Sequence, residues 1–370
     1  VATFLQAALS LKKWLDIIRY YAYVMIGENH FEKVYMATIK DVAALANVSI
    51  ATVSRVLNTS ANVSPELEAR VLKAVRQLDY RPNVLARNLR RSESLTIGVL
   101  VPDSKNPFFA EMAKGIEDFC FDRGFIAVLC DTDEQPSKAI SHLDTFYQQR
   151  VAGFAVVSPG HITPHLQQLL DDGFQIALVD RALSALPTDS VVSDNYGGAQ
   201  RAVEHLLQLG HHRIGFIVSN LEHETIQGRW GGARDAMLAA GLRIEPDLVY
   251  KYGDELPGSG YEGAKQILEQ ENPPTAIFAF NDLMAFGALH YAHEHGICVP
   301  EQLSVVGFDD MMMASFAVPS LTTIHQPKYE LGQKAAEILL RRIQGDKSAI
   351  TQLVLPTELV VRASTAPPHR

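Results

Sequence analysis

The sequence predicts a small all-α head followed by a larger α/β body built on parallel sheets, and three observations predict it. Residues 39–58 place apolar side chains at the spacing of two short helices meeting at a tight turn. From residue 95 onward, β-branched apolar runs alternate with helical patterns. Charge is divided between the parts: residues 36–93 carry nine Lys/Arg against five Asp/Glu, a net of +4. Residues 1–35 add +1, so a total of −9 leaves −14 on residues 94–370. A basic head on an acidic body suits a protein that meets phosphates at one end, and argues against a nonspecific nucleic-acid coat. At 370 residues and 47% hydrophobic the chain is too long for one core, so the body is expected in two lobes.

Residues 1–35 leave two readings open. Phe4, Leu5, Leu9, Leu11, Trp14, Leu15, Ile18 and Tyr21 would line a helix, suggesting a docking or membrane-surface element. Alternatively the natural chain starts at Met36, and this is the reading favoured. Lys12, Lys13, Asp16 and Arg19 break the apolar run below membrane length, and no small-residue cleavage site follows it.

In Ile39–Asn58 (IKDVAALANVSIATVSRVLN), Val42, Ala46, Val48, Val53 and Val56 form the buried stripe, and Ala43 lets the helices cross closely. Asn47 sits where the turn needs a positive φ, and Ser49 caps the second helix. That helix then exposes Ile50, Ala51, Ser54, Arg55 and Asn58, as the groove-entering helix of a helix-turn-helix does. An ordinary αα-hairpin in a core has the same spacing. A third helix begins at Ser64-Pro65, with Ser64 as N-cap, and Leu67, Val71, Leu72, Val75 and Leu78 close a three-helix core. Residues 82–94 form a hinge; its segment PNVLARNLRR is basic and too short to be a stable lone helix.

These residues resemble the DNA-binding head of the lactose/galactose repressor (LacI–GalR) family, whose signature is the TVSRVLN helix. The resemblance continues through Val63-Ser64-Pro65, Tyr80-Arg81-Pro82-Asn83 and Ala86-Arg87-Asn88-Leu89, and on to about Arg362. It implies a head over residues 36–81 and an effector-binding, dimerising body over residues 95–365, similar to the ribose-type periplasmic binding proteins. It implies that Leu89 wedges into the minor groove when the hinge folds on operator DNA, its unstacking cost offset by contacts to bent DNA. Ile50, Ala51 and Arg55 would read bases, Arg55 being suited to a bidentate contact with guanine. Thr38, Ser54, Asn58 and Asn62 would serve phosphates and flanking contacts.

In the body, strands are expected at 95–101, 125–130, 153–158, 175–180, 213–218, 248–252, 275–280 and 303–308. Helices such as Phe109–Arg123 and Gly197–Leu209 lie between them. Continuous apolar strands with crossover helices mean parallel sheets covered on both faces, and ligands bind at the carboxyl ends of such strands. There the sequence places Asn106, Phe108, Phe109, Asp180, Arg181, Arg229 (taken to open its helix), Asn281, Asp309 and Gln326. Two aromatic rings with amides, carboxylates and guanidiniums suit a sugar, and the resemblance assigns these positions to sugar contacts. Ribose or a similar monosaccharide is therefore the expected effector, a purine or phosphosugar the alternative. Asp282 and Asp310 are expected to cap the helices that follow them, and Arg229 and Asp309 would form an internal ion pair. Leu-Pro-Gly-Ser-Gly at 256–260 lacks the aromatic that sugar sites carry there.

No Walker loop, GxGxxG, zinc spacing or Gly-x-Ser-x-Gly elbow occurs, so neither enzyme activity nor a cofactor is expected. Cys120, Cys130 and Cys298 read as buried thiols of a reducing compartment, the bacterial cytoplasm. The ending ASTAPPHR carries no leucine heptad, so a homodimer is expected rather than a tetramer. A sugar-binding receptor would need a secretion signal and no head; a membrane-associated sensor would rest on residues 1–35.

Overall fold

A computed structural model describes residues 37–57, 63–80, 94–157, 160–219, 221–251 and 254–369. The chain divides into two compact units, the first ending at residue 92 and the second starting at 93.

In the first unit, α1 (Ile39–Ala46), α2 (Ile50–Leu57) and α3 (Pro65–Gln77) enclose Val42, Ala43, Ala46, Val53, Val56, Val71 and Ala74. The turn forms as its residues dictate. Asn47 takes φ 48° and ψ 54°, and Ser49 Oγ accepts the Thr52 N–H at 3.1 Å. Ser64 caps α3 through the Leu67 N–H at 3.4 Å. Arg70 donates to the Ala46 and Asn47 carbonyls at 2.6 and 3.1 Å, tying α3 to the end of α1. The expected α3 stripe is wrong at Leu72, which is 37% exposed. Ala74 faces inward instead and is buried beside Val71.

The second unit holds two six-stranded sheets. One contains β1 (Thr96–Val101), β2 (Ile126–Asp131), β3 (Gly153–Val156), β4 (Gln175–Val179), β5 (Asp189–Ser193) and β11 (Gln352–Leu355), in the order β11-β5-β4-β3-β1-β2. The other contains β6 (Ile214–Ile217), β7 (Val249–Tyr250), β8 (Ala276–Ala279), β9 (Ser304–Asp309), β10 (Thr322–His325) and β12 (Glu358–Val360), in the order β12-β10-β9-β8-β6-β7. Every pairing is parallel except β10–β12.

Helices α4 (Pro107–Phe121), α5 (Pro136–Gln149), α6 (Thr163–Asp171) and α12 (Lys328–Ile343) belong to the first lobe. Helices α7 (Asn195–Gln208), α8 (Glu224–Ala239), α9 (Pro257–Leu268) and α10 (Asp282–Glu294) belong to the second, with the short α11 (Met312–Phe316). The chain crosses between lobes after β5, β10 and β11. Glycine brings some helices backbone to backbone: a Cβ on Gly287 would lie 2.0 Å from the Pro257 carbonyl oxygen, and one on Gly332 2.0 Å from that of Met112.

Four strands escaped the list read from the sequence. β5, β11 and β12 are short and polar at several positions, and β10 was used only as the stretch before Gln326. β2 departs from the expectation of cover on both faces. It is an edge strand, with Ile126 at 64% and Leu129 at 47% exposure. Cys120 is buried, but Cys130 is half-buried and Cys298 exposed, so the uniform reading of the cysteines fails. Among the described residues no helix is long and apolar enough to cross a membrane.

Candidate DNA-reading face and effector cleft

On the head, α2 buries Val53 and Val56 and leaves Ile50, Ala51 and Arg55 exposed along one face, with Ser54 half-buried. Thr38 starts α1 by donating through both N–H and Oγ to Asp41 Oδ2 at 2.7 Å, which holds the Asp41 carboxyl below its usual range. Asn58, Asn62 and Leu89 lie outside the described residues.

In the body, a cleft of about 670 Å³ opens between the lobes. Loops following β1, β2, β3 and β4 line one side, through Asn106, Glu134, His161 and Leu183; loops following β6 and β7 line the other, through Ser219, His223 and Glu255. This is the carboxyl-end crevice that parallel sheets offer a ligand. The mouth is acidic, with Asp103, Asp133, Glu134, Glu222, Asp254 and Glu255 facing Lys105.

Beneath it lies a polar pit of about 20 Å³, roughly the space of one water. Asn106, Phe108, Phe109, Asp180, Arg181, Arg229, Asn281 and Asp309 all line it, so eight of the nine expected residues converge. Gln326 does not. It stands behind Asp309, donating from Nε2 to Oδ1 at 2.7 Å. Residues missed from the sequence complete the wall: Thr225, Ile226 and Glu255. Glu134 and Glu255 follow strands as the expected residues do, and the same strand-end rule would have found them.

Arg181 lines the pit. It makes a two-point contact with Glu134, at 3.0 and 2.7 Å, and lies 3.9 Å from Glu255 of the opposite lobe. Burial opposes its charge, but Glu255 and Glu134 outweigh that and hold it more firmly protonated than usual. Arg229 is not the first residue of its helix; α8 begins at Glu224, so Arg229 projects from its second turn. Its Nε donates to Asn195 Oδ1 at 2.8 Å, its Nη1 to the Phe280 carbonyl, and its guanidinium stacks 3.9 Å over the Phe308 ring. The expected pair with Asp309 is present at 3.7 Å.

Carboxylates here are pushed upward. Burial raises Asp180 to about 6 against the pull of Arg181 and Arg229. Burial raises Asp309 to about 7 although Arg229 and the Gln326 hydrogen bond oppose it. Both residues also have positive φ, 63° and 126°, a conformation kept only where surroundings impose it.

Neither expected aspartate cap forms. Asn281 caps α10 by accepting the Met284 N–H at 2.7 Å, whereas buried Asp282 accepts from the Met311 N–H and Thr323 Oγ1 at 2.7 and 2.5 Å. Asp310 precedes the N-cap position of α11 and binds His325 and Arg362 at 2.9 and 2.6 Å. Lys328, 2% exposed, collects the Asp309 and Asp310 carbonyls at 2.7 and 3.0 Å, and nothing in the sequence marked it.

A three-helix head with an exposed second helix, joined to a two-lobed body with a cleft between the lobes, defines a ligand-responsive DNA-binding regulator. Residues 38–83 match the model of bacterial regulatory proteins of the lacI family, and residues 203–365 that of a periplasmic binding protein-like domain. The chain is 38% identical over 333 residues to the HTH-type transcriptional repressor PurR of Haemophilus influenzae, covering 89% of this chain and 98% of that one. The lac repressor dimer bound to operator and an anti-inducer aligns with a TM-score of 0.81 and 28% identity, over 89% of this chain and 99% of that one. A LacI-family regulator from Enterococcus faecium with bound ribose aligns with a TM-score of 0.67 and 33% identity, over 74% and 99%. The chain belongs to the LacI family and is a DNA-binding transcriptional repressor, not an enzyme.

Proposed function

We propose that the repressor is controlled by a small, uncharged, single-molecule effector rich in hydrogen-bonding groups, bound in the interlobe cleft. One observation carries this reading: eight polar and aromatic residues from both lobes converge beneath an acidic mouth. Such a mouth repels phosphate, which weighs against a phosphosugar. Relatives named PurR, matched over 98% of their length, support a purine over the ribose expected from the sequence. Ribose keeps one specific support, a ribose-bound family member at 33% identity. A ring of either kind exceeds the pit, so it sits in the cleft above, against Asn106, Phe109 and Glu255, or displaces Arg181 from Glu255.

Binding across the lobes would shift a two-state equilibrium that the head reads out. Two copies would present two heads to a pseudo-palindromic operator. Exposed apolar side chains on both lobes suit the pairing: Phe121 and Ile126 on the first, Met312, Phe316 and Val318 on the second. Operator reading would fall to Ile50, Ala51 and Arg55, with Thr38 and Ser54 beside phosphates. A repressor of this kind works in the cytoplasm.

Thermal unfolding of the full chain against purine bases, ribose and ribose 5-phosphate tests the proposal. A ligand at about 100 times its Kd adds about 2.7 kcal/mol, a rise of several degrees. A rise with a purine or ribose alone supports the reading and selects between them; a rise only with the phosphate ester refutes it.

A further inference from the structure

Lys328 stands where two physical rules disfavour a lysine. It is the first residue of α12, at the positive end of the helix dipole. Its side chain is 2% exposed, and an ammonium taken out of water is costly unless it is matched. The match comes from main-chain carbonyls. Its three N–H groups face the oxygens of Asp309, Asp310 and Gln326, at 2.7, 3.0 and 3.3 Å from Nζ. Glu111, on α4 of the first lobe, lies 3.8 Å away and supplies a counter-charge.

These contacts grip the backbone that carries a pit residue. Asp309 ends β9 with φ 126°, and Asp310 follows with φ 52°. A residue with a Cβ keeps φ 126° only where its surroundings impose it. Here the carbonyls of both aspartates are turned onto the same ammonium. The Gln326 amide that donates to the Asp309 carboxyl at 2.7 Å is anchored alike, since its own carbonyl also accepts from Nζ. One buried cation thus fixes both the aspartate and the glutamine behind it.

We propose that Lys328 is a positioning residue of the effector site, which aims the Asp309 carboxyl into the pit by binding the Asp309, Asp310 and Gln326 carbonyls together. This role rests on the cleft being the effector site, since Asp309 is the residue through which Lys328 acts. Lys328 itself lines neither the cleft nor the pit, so its substitution removes no contact with an effector. Its charge gives a readout that packing alone would not move. Burial raises the Asp309 carboxyl to about 7 against the pull of Arg229 from α8, the Gln326 amide and Lys328. Asp180, after β4, and Asp282, opening α10, face it as further carboxyls.

The stability of Asp309→Asn relative to its parent climbs with pH and levels off at the pKa of the folded carboxyl, near 7 in the wild-type background. In a Lys328→Met background the plateau should begin about one pH unit higher, because a neighbouring cation lowers a carboxyl by about 1–3 units. Lys328→Arg, which keeps the charge, should leave it in place. Lys328→Gln, which keeps N–H donors without the charge, decides if the methionine variant does not fold. An unmoved plateau overturns the coupling, whatever the ligand. Thermal unfolding of the full chain at several concentrations of adenine, guanine and ribose then reads recognition. Whichever probe binds wild type should bind Lys328→Met about tenfold more weakly, the worth of one charge-assisted hydrogen bond. Lys334→Met, at an exposed position of the same helix, should bind it as wild type does. Equal affinity in Lys328→Met overturns the positioning role and leaves the cleft reading intact. Binding of none of the three to wild type overturns the cleft reading and, with it, the part of Lys328 in recognition.

Discussion

Asp309 permits a prediction with a definite sign. Its carboxyl is 4% exposed, and burial moves its pKa from 3.8 in the unfolded chain to about 7 in the fold. The folded protein therefore holds this proton more tightly than the unfolded chain does. The resulting stability is fully present below pH 3.8, is lost as pH rises, and is gone above about 7. At about 1.4 kcal/mol per pH unit, that window is worth on the order of 4 kcal/mol. Asp309→Asn keeps the shape and removes the titration. The stability of the variant relative to wild type should then climb by a few kcal/mol between pH 4.5 and 8. At about 2–4 °C per kcal/mol, this is a relative rise in Tm on the order of 10 °C. Circular-dichroism melts of both proteins across that range measure it, with the neighbouring Asp282 titrating alongside Asp309, and the difference cancels groups outside the field of Asp309. Among these are His205 and His211, whose imidazoles burial holds neutral and whose contribution has the opposite sign. Asp310, held at about 2 because His325 and Arg362 outweigh its burial, titrates below the window. Parallel melting profiles for the two proteins would refute the raised carboxyl and the reasoning built on it.

Further outcomes are expected elsewhere. Arg55→Ala should cost about 1–3 kcal/mol of discrimination at one base pair while sparing the fold; anisotropy titrations on a set of operator variants read this, and an unchanged preference profile removes Arg55 from base reading. Asn47→Ala forces a Cβ-branched-free but non-turn residue into φ 48° and should destabilise the head by about 1 kcal/mol, with Asn47→Gly tolerated; equal melting of the two variants contradicts this. Gly287→Ala places a methyl 2.0 Å from the Pro257 carbonyl oxygen and should cost about 1–3 kcal/mol through overpacking of α9 on α10, read by urea unfolding of the body. Phe121→Glu combined with Phe316→Glu should convert a dimer into monomers by light scattering and weaken operator binding, and a dimer that survives both substitutions would move the interface elsewhere.

Much of the head was legible because its determinants are local. Asn47 must adopt a left-handed conformation, Ser49 and Ser64 sit one position before helices they cap, and the valines repeat at helical spacing. Leu72 misled because a spacing rule counts large apolar residues and passes over the small Ala74, which the helix buries with Val71. In the body, apolar runs marked the central strands, whereas β5, β11 and β12 draw their strand character from neighbours distant in sequence. The strand-end rule, together with the resemblance to sugar-binding proteins of this fold, likewise pointed to the eight residues that line the pit. Gln326 stands behind Asp309, since position along the chain gives no depth, and of the helices expected to be capped by Asp282 and Asp310, α10 takes its cap from the Asn281 side chain while α11 begins after Met311 with no side-chain cap.

What position could not supply is the charge balance across the lobes. Arg181 is held by Glu134 of its own lobe and reaches Glu255 of the other, and Ser184 donates to Glu224 while His161 lies 3.5 Å from Glu222. Three acidic residues of the second lobe thus meet donors or cations of the first. An effector entering the cleft must replace or accommodate the Arg181–Glu255 contact, and its affinity is set by the difference. Glu255→Gln weakens this interlobe tie without adding bulk, so the same ligand should raise the Tm of the variant by a different amount than that of wild type. Identical shifts would show that Arg181 and Glu255 stand apart from the bound effector, and that the lobes close on it through other contacts.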